Sequence, residues 1–169
     1  MSQPAKAVGL TGLPVQLRPE TAADEALLLA LYTTTREEEL NLTNWDAATR
    51  ALFVQQQFQA MRRGYADMFP QGEFSILEEA GQPIGRIVVN RTPEELRLVD
   101  LVLTPERRGQ GLGTRIIQAL QGEAQQTGRP FRLHVYQFNR AGRLYERLGF
   151  IVIADNGLYR EMTWPAKTP

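Results

Sequence analysis

Apolar and polar positions alternate with two periods along this chain, and the order of the periods predicts a mixed α/β domain. VQLRP, residues 15–19, alternates as a half-buried strand does. ALLLALYTTTREEEL has helical spacing, with Thr21 or Asp24 as its candidate cap. Asp46 opens a second helix to about Arg63, whose predicted buried side carries Leu52, Phe53, Phe58 and Met61. Past Gly72 the period falls to two. FSILEE, the turn AGQP and IGRIVV form a hairpin, and ELRLVDLVL adds a third strand. Leu96, Leu98 and the run Leu101–Leu103 predict a strand covered on both faces towards its end, and Pro105 turns the chain. Leu112, Ile116, Ile117, Leu120 and Ala124 then mark a helix that Gly128-Arg-Pro130 stops. FRLHVYQF reads as a strand. Asn139–Leu148 reads as a helix, with Ala141, Leu144, Tyr145 and Leu148 on one side and Gly149 at its end. FIVIAD and LYREMTW, joined by Asn156-Gly157, close the chain as a hairpin. Residues 1–13 read as a flexible tail and 14–165 as a single domain. The predicted order is β-α-α-β-β-β-α-β-α-β-β, on a mixed, mostly antiparallel central sheet flanked by helices.

Composition narrows the chemistry. A chain of 169 residues supports one well-buried core. Its formal net charge is zero, which argues against sequence-independent binding to nucleic acid or to an anionic membrane. Cysteine is absent, so disulfides, thiolate metal sites and a cysteine nucleophile are excluded together. One histidine, His134, cannot make a multi-histidine metal site within one chain, and no metal is expected. The longest apolar run, Ala26–Leu31, is far too short to span a bilayer, and no basic-then-apolar leader is apparent. A cytoplasmic location is the default expectation.

RRGQGLGT, Arg107–Thr114, is the densest chemical signal. A glycine-rich turn between a strand and a helix makes an anion site, because the first helical N–H groups are unpaired and glycine lets backbone approach a phosphate. A P-loop would end Gly-Lys-Ser/Thr, but Gly113 is followed by Thr114 and Arg115. A dinucleotide fingerprint needs GxGxxG, whereas Gly109, Gly111 and Gly113 are spaced GxGxG, without the later acidic residue. The bland alternative is a plain connection that needs left-handed glycines.

Arg108-x-x-Gly111-x-Gly113 resembles the pyrophosphate-binding loop of the GNAT superfamily of N-acetyltransferases, written Arg/Gln-x-x-Gly-x-Gly/Ala. NRAGRLYERLGF, Asn139–Phe150, resembles that superfamily's later Asn-to-Tyr-to-Gly-Phe element. The likeness is close over residues 96–150, and the element order agrees from about residue 15 to 164. It implies the GNAT fold, acetyl-CoA as donor, and acyl transfer to the primary amine of a small molecule or peptide. It further implies that Leu101, Val102 and Leu103 lie along the pantetheine arm, with Asn139 near it. Arg107, Arg108, Gly109, Gln110, Gly111, Leu112, Gly113 and Thr114 would hold the pyrophosphate. Tyr145 matches the superfamily's general acid, although Leu144 and Leu148 also suit a core aromatic there. A homodimer through the sheet edge is common in such folds.

The base is less clearly marked. Asp100 lies among apolar neighbours beside the expected reaction centre, where an unpaired carboxylate is costly. It is a candidate to orient or deprotonate the amine, or else to pair with an arginine. The superfamily's glutamate base falls where this chain has Arg97. Glu37, Glu38 and Glu39 are further carboxylates, best read as a solvated face. His134 is a candidate base or a satisfied structural histidine. Trp45, Tyr65 and Phe69 fall in the region that builds the acceptor pocket, but core packing explains them equally. Absence of cysteine favours direct transfer. A catalytically silent acyl-CoA-binding regulatory module would keep RRGQGLGT without needing Tyr145, and a nucleotide-binding module is the third reading.

Overall fold

The computed structural model describes residues 10–165. Among these, seven strands form one sheet: β1 (Gln16–Pro19), β2 (Glu73–Glu79), β3 (Gln82–Arg91), β4 (Leu96–Leu103), β5 (Phe131–Tyr136), β6 (Ile151–Asp155) and β7 (Tyr159–Trp164). Their spatial order is β1-β2-β3-β4-β5-β7-β6. β4 and β5 are parallel because a helix returns the chain between them, and the other neighbours are antiparallel. The helices are α1 (Glu25–Asn41), α2 (Ala47–Met68), α3 (Leu112–Thr127) and α4 (Ala141–Arg147), in the order the sequence predicts.

Two apolar layers hold the sheet. On one face Ile116, Ile117, Leu120 and Ala124 of α3 pack with Leu96, Leu98, Phe131 and Leu133, and Tyr145 and Leu148 border them. On the other, Leu28 and Tyr32 of α1 meet Val54 and Phe58 of α2 over Ile76. Of the expected caps, Asp46 accepts from the Thr49 N–H at 2.7 Å, whereas Asp24 closes the turn ahead of α1 by accepting from the Thr21 N–H at 2.8 Å and caps no N–H of α1 itself. Gly128 ends α3 in the left-handed conformation.

Three expectations need correction. α2 runs to Met68 rather than about Arg63, since nothing in its last turn breaks a helix. Leu52 is 61% exposed, and Val54 takes its place beside Phe58 in the core. Residues 1–9 of the expected tail lie outside the described residues, but Leu10 is buried in the core and Leu13 packs against it, so ordered packing begins before residue 14.

The feature that positions the site is a break in the sheet. Val88 opposes Asp100 and Val89 opposes Leu98, which leaves Val99 as a bulge. β4 pairs with β5 only at Leu96–Phe131, Arg97–Arg132 and Leu98–Leu133. Past the bulge the strands part. β4 follows β3 to Leu103, and β5 follows β7 to Tyr136. The Thr104 N–H donates to the Ile84 carbonyl on the β3 side at 2.9 Å. By strand alternation, Val102 also turns its backbone groups to β3, while Leu101 and Leu103 turn theirs into the gap.

Candidate active site

The glycine loop lies at the wide end of this gap. After the turn Pro105–Arg107, Gly109 and Gly111 take φ of 68° and 80°, in the left-handed region, and Gly111 starts α3. A Cβ at either glycine would meet nothing within 4 Å, so the space over the loop is open. None of the N–H groups from Gly109 to Thr114 has an acceptor among the described residues. They stand at the positive end of a 16-residue helix.

The loop's cationic side chains do less than the sequence suggests. Arg107 donates to Glu79 and Gln110, each at 2.7 Å, although its buried Nε has no partner. Arg108 folds back to the Leu103 carbonyl at 2.9 Å and to the Thr34 hydroxyl. Gln110 also donates to the Glu106 carbonyl. Leu112 is buried in the core and offers only its N–H. Six free N–H groups, open space and an unpartnered arginine nitrogen fit a diphosphate. Of the three β4 residues expected beside a pantetheine arm, Leu101 and Leu103 offer backbone groups to the gap and Val102 does not.

Asp100 lies half-buried on the bulged stretch of β4. Its carboxylate accepts from Arg86 Nη1 at 3.1 Å. Arg86, on β3, is 4% exposed, donates through Nε to Glu20, and lies near the rings of Tyr65 and Phe74. Burial pushes the Asp100 pKa up, while the Arg86 guanidinium and the Leu101 N–H oppose the shift. The same charge reaches α4. Burial, helped by Asp100, pushes the Tyr145 hydroxyl up to about 12, so it stays protonated at neutral pH. That hydroxyl has no hydrogen-bond partner among the described residues, while its ring packs on Phe150 with centroids 5.7 Å apart. Burial thus raises the proton affinity of both Asp100 and Tyr145.

Other sequence candidates fall elsewhere. Arg97 is held by Glu95 at 2.6 Å and Glu161 at 2.9 Å. It also faces His134 Nδ1 at 2.9 Å, which makes Nδ1 the acceptor and places the ring hydrogen on Nε2. His134 is therefore tied into an ion-pair cluster. Glu39 pairs with Arg36, and Glu38 pairs with Arg140 at the surface. Trp45 packs edge-on to Phe53, 42% exposed. Tyr65 does border the site, because the charges of Asp100 and Arg86 act on its hydroxyl, and its ring is 6.5 Å from that of Phe69. Asn139 stands two residues before Ala141 and accepts the Ala141 N–H at 2.9 Å, which makes it a cap for α4. Sequence reasoning missed Arg86 and Glu20. The signal was an arginine at an inward position of the otherwise apolar GRIVV, which needs a buried acidic partner.

Comparison with known proteins agrees with this geometry. The model of the acetyltransferase (GNAT) domain matches residues 70–152, the span that carries the bulge, the gap, the loop and Tyr145. Residues 70–152 belong to the GNAT superfamily. Solved GNAT structures share the chain's fold. The PaiA N-acetyltransferase from Thermoplasma acidophilum, in complex with coenzyme A, is 16% identical, with 89% of this chain and 98% of that one covered at a TM-score of 0.65. An acetyltransferase from Thermus thermophilus is 18% identical, covering 90% and 97% at a TM-score of 0.63. Ard1 from Thermoplasma volcanium is 19% identical, covering 92% and 100% at 0.58. At such identities these likenesses concern the GNAT fold alone. Among the described residues, no helix is long and apolar enough to cross a membrane.

Proposed function

We propose that this GNAT protein is an acetyl-CoA-dependent N-acetyltransferase that moves the acetyl group directly to a primary amine of a small molecule or peptide. The observation that carries this reading is the row of unpaired N–H groups from Gly109 to Thr114 at the wide end of the β4–β5 gap. The N–H groups of Gly109 to Thr114 would hold the diphosphate, and the gap-facing backbone groups of Leu101 and the Leu103 N–H would pair with the pantetheine amides. When bound, acetyl-CoA supplies an activated thioester.

The chain's own residues do the rest. A lysine-like amine has a pKa of about 10.4 and must lose a proton before it attacks. Asp100, made more basic by burial, takes that proton directly or through water. The Leu101 N–H supports the negative charge that develops on the acyl oxygen. As a C–N bond formed and the C–S bond broke, Tyr145 would give its hydroxyl proton to the departing sulfur, and the new amide nitrogen would lose its second proton to water. Tyr145 then regains a proton from solvent, and Asp100 releases one.

A catalytically silent acyl-CoA-binding module explains the loop but gives no use to the unpartnered Tyr145 hydroxyl. The deciding experiment offers acetyl-CoA with a panel of polyamines, amino acids, aminoglycosides and peptide N-termini, and reads free thiol. Amine-dependent thiol release is expected. CoA binding with no release for any amine would leave only the silent module.

A further inference from the structure

Thr33, Thr34 and Thr35 form an unbroken threonine run on α1, and each hydroxyl donates to a carbonyl of its own helix: Leu29 at 2.8 Å, Leu31 at 2.7 Å and Tyr32 at 2.6 Å. Among the described residues only the Thr34 hydroxyl has a second partner, because its oxygen accepts from Arg108 Nη2. A hydroxyl whose single proton is already spent can act only as an acceptor, and a cation is the donor that suits it best. The contact also joins distant parts of the fold. α1 packs on the sheet face opposite α3, so Thr34 ties a helix of one face to the loop that starts a helix of the other.

Arg108 is thereby held away from the anion site it borders. Its Nε donates to the Leu103 carbonyl at 2.9 Å and its Nη2 to Thr34, and no carboxylate pairs with it among the described residues. Its neighbour Arg107, by contrast, is neutralised by Glu79 at 2.7 Å. The Leu103 carbonyl faces the β4–β5 gap, where without Arg108 it would need a donor from water or from a ligand. A guanidinium left free beside the unpaired N–H groups of the loop would be a bidentate partner for a diphosphate. Here that cation serves the protein's own main chain instead.

We propose that Thr34 is a positioning residue for the donor: by accepting from Arg108 it keeps the guanidinium on the Leu103 carbonyl and off the diphosphate. Main-chain N–H groups then carry the diphosphate without the Arg108 cation, and the hold on CoA stays moderate. An acetyltransferase must release CoA after every transfer, and binding energy that grips donor and product alike does not speed the chemical step. This rests on the transferase reading above.

CoA affinity measured by calorimetry at low and at high salt tests it. Thr34→Val keeps the shape of threonine without the acceptor, which frees Arg108 to turn to the diphosphate. CoA is expected to bind this variant about three- to fivefold tighter at low salt, with the gain shrinking at high salt. Thr34→Ser keeps the hydroxyl and should bind CoA as the wild type does. Arg108→Gln keeps a donor for the Leu103 carbonyl but no charge, and its affinity should stay within about twofold of the wild type at either salt. Adding Thr34→Val to Arg108→Gln should then change nothing. Weaker or unchanged binding in Thr34→Val, or a gain that survives in the Arg108→Gln background, would overturn the proposal. So would a salt-dependent loss in Arg108→Gln, which would put the guanidinium on the diphosphate in the wild type. The transferase reading stands or falls separately, on amine-dependent thiol release. If no amine releases thiol while Thr34→Val still tightens CoA, the transferase falls and the hold of Thr34 on Arg108 remains.

Discussion

The two sides of the β4–β5 gap are built by different means. On the donor side, main chain does the work: left-handed glycines, free N–H groups at the start of α3, and the gap-facing backbone of Leu101 and Leu103. On the acceptor side, side chains do it: Asp100 on Arg86, which also holds Glu20, with the Tyr65 ring beside the guanidinium. A backbone site needs a local string of residues in the right conformation. A side-chain site needs only that distant positions meet, so it can change its ligand by substitution while the donor side stays fixed.

Substitutions can break this division. Tyr145→Phe should have the largest effect, lowering kcat by about 10²-fold or more while CoA binding is kept, as expected for a lost general acid. A kcat within the error of the wild type would return Tyr145 to the core. Asp100→Asn should follow, with a loss of on the order of 10²-fold in kcat/KM and no loss of CoA affinity. On the donor side, Gly111→Val forces a branched residue into the left-handed region at about 1–2 kcal/mol. CoA binding measured by calorimetry should weaken by on the order of tenfold, with the acid limb of kcat/KM unmoved. If that limb moves as well, the two sides are not separable.

The pH profile sharpens the same contrast. Asp100 is protonated below its raised pKa and then cannot accept the amine proton, so kcat/KM should fall with decreasing pH above the ordinary carboxylate value of about 3.9. Arg86→Met removes the cation that opposes the shift, so this acid limb should move to higher pH. An unmoved limb would assign it to another group. Tyr145, at about 12, should add no alkaline limb near neutrality. The smallest effect is expected for His134→Gln. Its exposed ring serves only the Arg97 cluster, and denaturant unfolding should change by less than about 0.5 kcal/mol with kcat unaltered.

The same contrast explains what was legible in the sequence. The element order, the cap at Asp46 and the stop at Gly128 are local signals, and all of them hold. The loop was readable because its chemistry is contiguous from Arg107 to Thr114. The reach of its arginines was not, since Arg108 is turned away by Thr34 on α1, a contact between distant segments. Asp100 stood out as a carboxylate among leucines, yet its partner Arg86 sits across a bulged register that no spacing rule predicts. Glu20 was invisible for the same reason, because only the folded sheet brings it to Arg86.

The bulge at Val99 acts as a parity switch. Up to Leu98 the even-numbered residues of β4 face α3, and after it the odd-numbered Leu101 and Leu103 do. LVDLVL, which reads as a strand covered on both sides, is an alternating strand whose count slips by one. Were Val99 drawn into the ladder opposite Val88, Asp100 would fall opposite Ile87 in the layer beneath α3, and Leu101 would fall opposite Arg86. The face of every later residue of β4 hangs on that one slip.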